Sequence, residues 1–295
     1  MTTTPDIRTD HYPISPAGSL PESHDHDTAL EVWAEVTPHV SLIIPALNEA
    51  RNLPWVLERV PASVEEVILV DGYSTDNTIA VARQCRPDIH VVQQRGRGKG
   101  MALRTGFDAA RGDYIVMMDA DGSMDPGEID LFVGALDAGY QFVKGSRYLP
   151  GAGSEDLTRL RNWGNRCLVT AVNMLFTVPF SDLCYGYVAF RRDVLTALHL
   201  TSHGFEIETE LIVHAVKARL RIAEVPSIEL MRRYGTSNLN AFRDGRRVFR
   251  TLTRERLRRV PPPVVDLLHR STLPVPIAAL GPAESVVAAL PATAG

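Results

Sequence analysis

The sequence predicts an α/β fold in which helices flank a mostly parallel central sheet. Three observations lead there. Short apolar runs recur along the first half of the chain, stretches of helical character separate them at regular spacing, and polar residues follow directly on several of the runs. With 295 residues, 45% apolar and 22% charged, the composition excludes a disordered, collagen-like or disulfide-scaffold protein and allows one large domain or two small ones.

The elements read in order as follows. Val40-Ser-Leu-Ile-Ile44 is apolar enough to be buried on both faces and stops at Pro45, as a buried parallel strand would. The same signal recurs at Val67–Val70, Ile89–Val92, Tyr114–Met118 and Phe142–Val143, with helical stretches at 50–60, 76–84, 99–110 and 127–138 between them. Residues 1–38 carry seven acids against one Arg without periodicity and read as a disordered leader. Residues 39–240 form the expected folded domain, 241–260 a basic amphipathic helix, and 261–295 a Pro/Ala-rich flexible tail. In the basic segment, Phe242, Val248, Phe249 and Leu252 gather near one side with Arg over much of the rest. Such a helix lies on an anionic membrane surface or packs its apolar stripe on the domain; the second is the commoner use.

Cys85, Cys167 and Cys184 form no CxxC pair, which fits a reducing compartment and argues against a structural zinc site. No basic-then-apolar leader and no apolar stretch of about 18 residues is present. The expected location is the cytoplasm, with peripheral contact at the inner face of the membrane as a variant. The net charge of −4 gives no reason to expect a nucleic-acid partner.

Parallel sheets bind ligands beyond the carboxyl ends of their strands, so polar residues there converge in space. Pro45-Ala-Leu-Asn48-Glu49 follows the first run, Asp71-Gly-Tyr-Ser74-Thr-Asp76 the second, Arg95-Gly-Arg-Gly-Lys99-Gly100 the third and Asp119-Ala-Asp121 the fourth. Two carboxylates two residues apart at a strand end can share Mg²⁺ or Mn²⁺; Asp is also common in ordinary turns. Asp71 stands where a carboxylate can accept from a nucleobase, Glu49 can equally sit in the first turn of a helix, and Lys99 in a solvated loop. The glycine-rich stretch is neither a P-loop nor a dinucleotide fingerprint: Gln93 stands in place of the first P-loop Gly, Gly100 in place of Ser or Thr, and Met101 in place of the third Rossmann Gly.

Taken in order, these motifs resemble family 2 glycosyltransferases, in particular the dolichyl-phosphate mannosyltransferase-like branch that includes polyprenyl-phosphate glycosyltransferases. Gly145-Ser-Arg-Tyr148, Asp182-Leu-Cys-Tyr-Gly-Tyr-Val-Ala-Phe-Arg-Arg192 and Gly204-Phe-Glu-Ile-Glu-Thr-Glu210 extend the likeness, which runs from about Val40 to Asn240. The resemblance implies a GT-A fold (a Rossmann-like nucleotide-diphospho-sugar transferase fold) and inverting transfer from a UDP- or GDP-linked sugar. It assigns Pro45, Glu49, Asp71, Lys99 and Asp119 to the nucleotide sugar, Asp119 and Asp121 to Mg²⁺ or Mn²⁺, and Arg147 to a donor or acceptor phosphate. Arg232-Arg-Tyr-Gly-Thr-Ser237 is similar to the branch's Arg-x-x-Gly-x-Ser loop, and Arg233 is assigned to the diphosphate. Two departures stand out: Gly72 replaces the second acid of the usual Asp-Asp pair, and Gly122-Ser123 replaces Leu-Gln, leaving Ser123 to assist the metal.

The acceptor decides whether a base is needed. A hydroxyl needs one and an ionised lipid phosphate does not. Asp182 is the base candidate, with a helix or turn cap as its structural alternative. Of Glu206, Glu208 and Glu210, the last matches the family's acid and is taken as the sugar-binding candidate. The expected acceptor is polyprenyl phosphate or another cell-envelope glycan precursor. The alternatives are a soluble transferase acting on a metabolite or glycan hydroxyl, and a non-catalytic nucleotide-sugar-binding module.

Overall fold

The computed structural model describes residues 38–236, 241–258 and 275–276. The leader lies outside the described residues, as does the tail apart from 275–276. The elements are, in order, β1 (Val40–Ala46), α1 (Leu53–Glu58), β2 (Glu66–Asp71), α2 (Thr78–Cys85), β3 (His90–Gln93), α3 (Lys99–Ala109), β4 (Tyr114–Met117), α4 (Ile129–Asp137), β5 (Phe142–Ser146), β6 (Gly153–Ser154), α5 (Arg159–Phe176), β7 (Val188–Arg191), α6 (Leu195–Leu198), α7 (Ile207–Lys217), β8 (Ile222–Pro226), β9 (Ile228–Glu229), α8 (Ala241–Leu257) and β10 (Val275–Pro276).

Each apolar run is a strand of one eight-stranded sheet, in the order β10-β8-β5-β7-β4-β1-β2-β3. Its pairings are parallel except at β7, which runs antiparallel between β4 and β5. That strand, Val-Ala-Phe-Arg, is too short to stand out by periodicity. A separate parallel pair joins β6 to β9.

Alternation along the central strands explains why they read as continuous apolar runs. In β1, Leu42 and Ile44 enter one core layer and Ile43 the other; in β2, Val67 and Leu69 part from Ile68 and Val70 in the same way. One layer takes α1 and α4, the other α3, α7 and the buried side of α8. Pro54 sits in the first turn of α1, where its missing N–H costs nothing. Thr158 caps α5 by accepting from the Arg161 N–H at 3.2 Å.

The basic helix expected at 241–260 is α8. It packs Val248 and Leu252 inward against α5 and α7 while Phe249 stays exposed. Helix α5 is a surface helix, with Leu160, Trp163 and Met174 exposed along it. Among the described residues no helix is long and apolar enough to cross a membrane.

Candidate active site

The carboxyl ends of β1, β2 and β4 open into a cleft of 590 Å³. Pro45 and Glu49 line it from the end of β1, Lys99 from the start of α3, and Asp119 and Asp121 from the turn after β4. Lys99 is placed there by backbone packing. Gly98 adopts φ +101°, and a Cβ at Gly100 would fall 2.4 Å from the Ser202 carbonyl oxygen. The glycines flanking Lys99 therefore let α3 begin directly against residues 202–203, with the Gly100 N–H donating to the His203 carbonyl at 2.8 Å.

From that position Lys99 Nζ reaches Asp119 Oδ1 at 2.5 Å and Glu208 Oε1 at 2.6 Å. Burial alone would lower the Lys99 pKa, but the two carboxylates outweigh it and raise it. Burial raises Asp119, and Asp121 and Glu208 add to this against the lowering effect of Lys99. Asp121 is held by its own turn: Oδ1 accepts from the Ser123 N–H at 2.9 Å and from Ser123 Oγ at 2.6 Å. Its Oδ2 meets Arg232 Nη2 at 2.6 Å, while Arg232 Nη1 meets Glu49 Oε1 at 3.2 Å. Burial raises the Glu49 pKa despite Asn52 and Arg232. Asp119 and Asp121 thus present hard oxygen donors to a polar cleft, a set that fits Mg²⁺ or Mn²⁺ better than softer metals. Ser123 orients one of those carboxylates.

Residues 41–198, more than half the chain, match Glycosyl transferase family 2. The chain is a family 2 glycosyltransferase. The glycosyltransferase AglJ of Haloferax volcanii is 34% identical over 221 residues, 73% of this chain and 71% of the relative. Polyprenol monophosphomannose synthase of Mycolicibacterium smegmatis is 35% identical over 223 residues, 69% of this chain and 82% of that protein. Among solved structures, glucosyl-3-phosphoglycerate synthase from Mycobacterium tuberculosis, in complex with Mn²⁺, UDP and glucosyl-3-phosphoglycerate, superposes with a TM-score of 0.60 at 26% identity. The match covers 74% of this chain and 80% of that one. The fold is GT-A.

Four expectations for the transferase need correction. Asp182 is fully buried and lines no part of the cleft. Its Oδ2 accepts from Arg147 Nε at 2.7 Å and from the Arg147 N–H at 3.2 Å, and its Oδ1 from Arg147 Nη2 at 3.0 Å. Burial would raise its pKa, but Lys144 and Arg147 hold it below the usual carboxylate value, and its oxygens face Arg147 rather than the cleft. Glu210 is also fully buried and turned away from the cleft, accepting from Thr201 Oγ1 at 2.6 Å and the Ser202 N–H at 2.7 Å. Glu208 is the member of that acidic triplet which reaches the cleft.

Arg233 lays its guanidinium over the Trp55 ring at 4.4 Å, and Arg232 enters the cleft instead. Asp71 stands at the end of β2, but its carboxylate is engaged by the turn that follows and by the end of β3: it accepts from the Tyr73 N–H at 3.1 Å, the Ser74 N–H at 3.2 Å and Gln93 Nε2 at 3.1 Å. The turn brings Gly72 and Tyr73 to the cleft in its place.

Arg147 faces a second cavity. This one has a volume of 310 Å³ and lies among α5, α7 and α8, with Leu157, Leu160, Trp163, Leu168, Leu183 and Val248 on its wall. The Arg147 guanidinium is only 3% exposed, pairs with Glu229 at 3.0 Å as well as Asp182, and lies over the Tyr185 ring at 5.1 Å. Asp182 and Glu229 raise its pKa against burial, so it stays cationic. Arg161, Cys184, Phe205 and Glu208 line both cavities, so the apolar one adjoins the cleft. No sequence motif announces it, because its wall comes from three helices far apart in the chain.

Proposed function

We propose that the enzyme transfers a sugar from a nucleoside diphosphate to a polyprenyl phosphate, with Mg²⁺ or Mn²⁺ at Asp119 and Asp121. The carrying observation is the pairing of an acid-lined cleft with a more apolar cavity that adjoins it at Glu208 and Arg161 and is lined by the buried Arg147. An acceptor with an anionic head and a hydrocarbon tail matches that sequence of surfaces, and a small polar metabolite does not. The likeness to a polyprenol monophosphomannose synthase supports the lipid acceptor. The likeness to a synthase solved with Mn²⁺ and UDP supports the metal and the nucleotide.

In this reading the nucleoside lies toward Pro45, Gly72 and Tyr73, and the diphosphate beside Asp119, Asp121 and Arg232. Asp119 and Asp121 would hold a divalent ion there, which would offset charge on the diphosphate. Lys99 fixes Asp119 and Glu208, so both carboxylates keep their orientation as the donor enters. Arg147 and Arg161 hold the lipid phosphate, and one of its oxygens attacks the anomeric carbon from the face opposite the leaving group, inverting it. An ionised phosphate needs no base, so positioning and charge stabilisation supply the catalysis. Exposed Leu160, Trp163 and Met174 on α5, and Phe249 and Leu257 on α8, are interspersed with Arg. They support peripheral contact with an anionic membrane that delivers the acceptor.

A second reading rests on Glu208. Because it sits where the two cavities meet, it takes the place of Asp182 as the base if the acceptor is a hydroxyl. Leu168→Arg separates the two. It places charge in the apolar cavity, and for a lipid acceptor it raises KM for polyprenyl phosphate by at least about tenfold, with UDP- or GDP-sugar affinity unchanged. Turnover confined to water-soluble hydroxyl acceptors, and indifferent to this substitution, refutes the lipid reading.

A further inference from the structure

Two cations bridge four of the acids that line the cleft, and they are mounted differently. Lys99 joins Asp119 to Glu208 from the rigid start of α3, whereas Arg232 joins Asp121 to Glu49 from the segment that follows β9. The Ser123 contacts all fall on Asp121 Oδ1, so the oxygen that Arg232 holds is the one the turn itself leaves open to the cleft. The backbone on both sides of Arg232 follows the same turn. The Leu230 N–H donates to the Ser123 carbonyl at 2.9 Å and the Arg233 N–H to the Asp121 carbonyl at 3.3 Å. Arg233 packs on Trp55, and Asn52 Nδ2 donates to the Tyr234 carbonyl at 3.2 Å. The segment is therefore pinned around Arg232, while the Arg232 side chain keeps 23% exposure and room to turn.

We infer that Arg232 trades between Asp121 and the donor diphosphate, so that it competes with the divalent cation for Asp121 until a nucleoside diphosphate draws it off. The inference rests on the metal reading of Asp119 and Asp121. A guanidinium 2.6 Å from Asp121 Oδ2 opposes a second positive charge at that oxygen. A diphosphate adds anionic oxygens within the same cleft, and moving Arg232 onto them removes the opposition without carrying the segment away from its anchors. Metal and nucleotide then favour each other through Arg232 in addition to any direct contact between them. By linkage the effect is the same whichever binds first. Free metal stays weakly held, and the metal site assembles only around a donor.

The test is a titration of Mn²⁺ by electron paramagnetic resonance on the full chain and on Arg232→Gln, alone and with saturating UDP or GDP. With Mn²⁺ alone, Arg232→Gln binds about tenfold more tightly than the parent, a typical size for coupling between two sites. With nucleoside diphosphate present the advantage disappears or reverses. Arg232→Lys keeps a positive charge beside Asp121 and retains the parent's affinity for Mn²⁺ alone. Equal or weaker Mn²⁺ binding by Arg232→Gln in the absence of nucleotide, or tightening by Arg232→Lys as large as by Arg232→Gln, overturns the trade and leaves the metal reading in place. No Mn²⁺ binding by either chain, with or without UDP or GDP, overturns the metal reading and the trade together.

Discussion

Asp182→Asn distinguishes a positioning residue from a base, because the first role predicts a loss of stability and the second predicts almost none. The substitution keeps the size of the side chain and one acceptor oxygen, but turns the other oxygen into an N–H donor facing the donors of Arg147. Three hydrogen bonds converge on the Asp182 carboxylate from Arg147 alone, and both side chains are almost wholly buried. Removing one partner of a buried pair leaves an uncompensated charge and costs about 3–5 kcal/mol. Glu229 still pairs with Arg147 after the change, and Glu224 lies beside Lys144, which places the loss near the lower end, about 3 kcal/mol. For a folded region of this size that is a fall of about 6–12 °C in Tm. Differential scanning fluorimetry of the full chain reads it directly. A second variant sharpens the test: Asp182→Leu, Arg147→Met and Glu229→Gln together remove all three charges of the cluster and recover most of the lost stability. A Tm within about 2 °C of the parent, joined to loss of turnover with a hydroxyl acceptor, is the signature of a base and would falsify the positioning role.

Gly100→Ala should run against the usual helix preference. Ala in place of Gly within a helix normally adds about 1 kcal/mol. Here the new Cβ meets the Ser202 carbonyl oxygen at 2.4 Å and the His203 carbonyl carbon at 2.7 Å, both backbone atoms. A net loss of about 2–4 kcal/mol is expected, with weakened donor binding as Lys99 is pushed off Asp119; a variant that melts like the parent contradicts the packing. Glu255→Gln gives a pH-dependent effect. Burial would raise the Glu255 pKa, but His214 and Lys217 pull it from 4.5 down to about 2. A carboxylate depressed in the folded state contributes stability above its unfolded pKa and loses it as pH falls toward the folded value. The contribution is up to about 3 kcal/mol, so the Tm gap between parent and variant should be widest near pH 6, shrink to roughly half by pH 3 and close only below about pH 2. A constant gap across that range would show that the pair of α7 and α8 is not held by this charge.

The parts of the fold that were legible in the sequence are those specified by composition alone. Strands β1, β2 and β4 are buried on both faces, so their apolar runs are unbroken and end where the cleft begins. Asp119 and Asp121 were legible for the same reason, because two residues along from a strand end both carboxylates still face the ligand side of the sheet. Strand β7 was hidden by its length, and with it the fact that β5 and the segment before β7 sit side by side. That adjacency is what brings Asp182 onto Arg147. A lone Asp after an apolar segment gives no sign of whether it faces a substrate or a buried guanidinium.

The misplacements of Glu210 and Arg233 share one cause, which is phase within a correctly located segment. Glu206, Glu208 and Glu210 lie at the start of α7, where two residues turn the side chain by about 200°. Once Ile207 opens the helix, Glu208 points to Lys99, and Glu210 points back to Thr201 and Ser202. A signal for this was present in the chain: Glu210 and His214 are four apart on one face, and a residue pair with that spacing belongs to whatever α7 packs against. That neighbour is α8, whose Glu255 meets His214 Nε2 at 2.9 Å. Arg232 and Arg233 show the extended-chain version of the same effect. Successive side chains leave the backbone on opposite sides, so one enters the cleft and the other covers Trp55. A motif can be aligned to the correct loop and still name the wrong neighbour, and at this site a shift of one or two residues separates a group that enters the cleft from one that holds the loop in place.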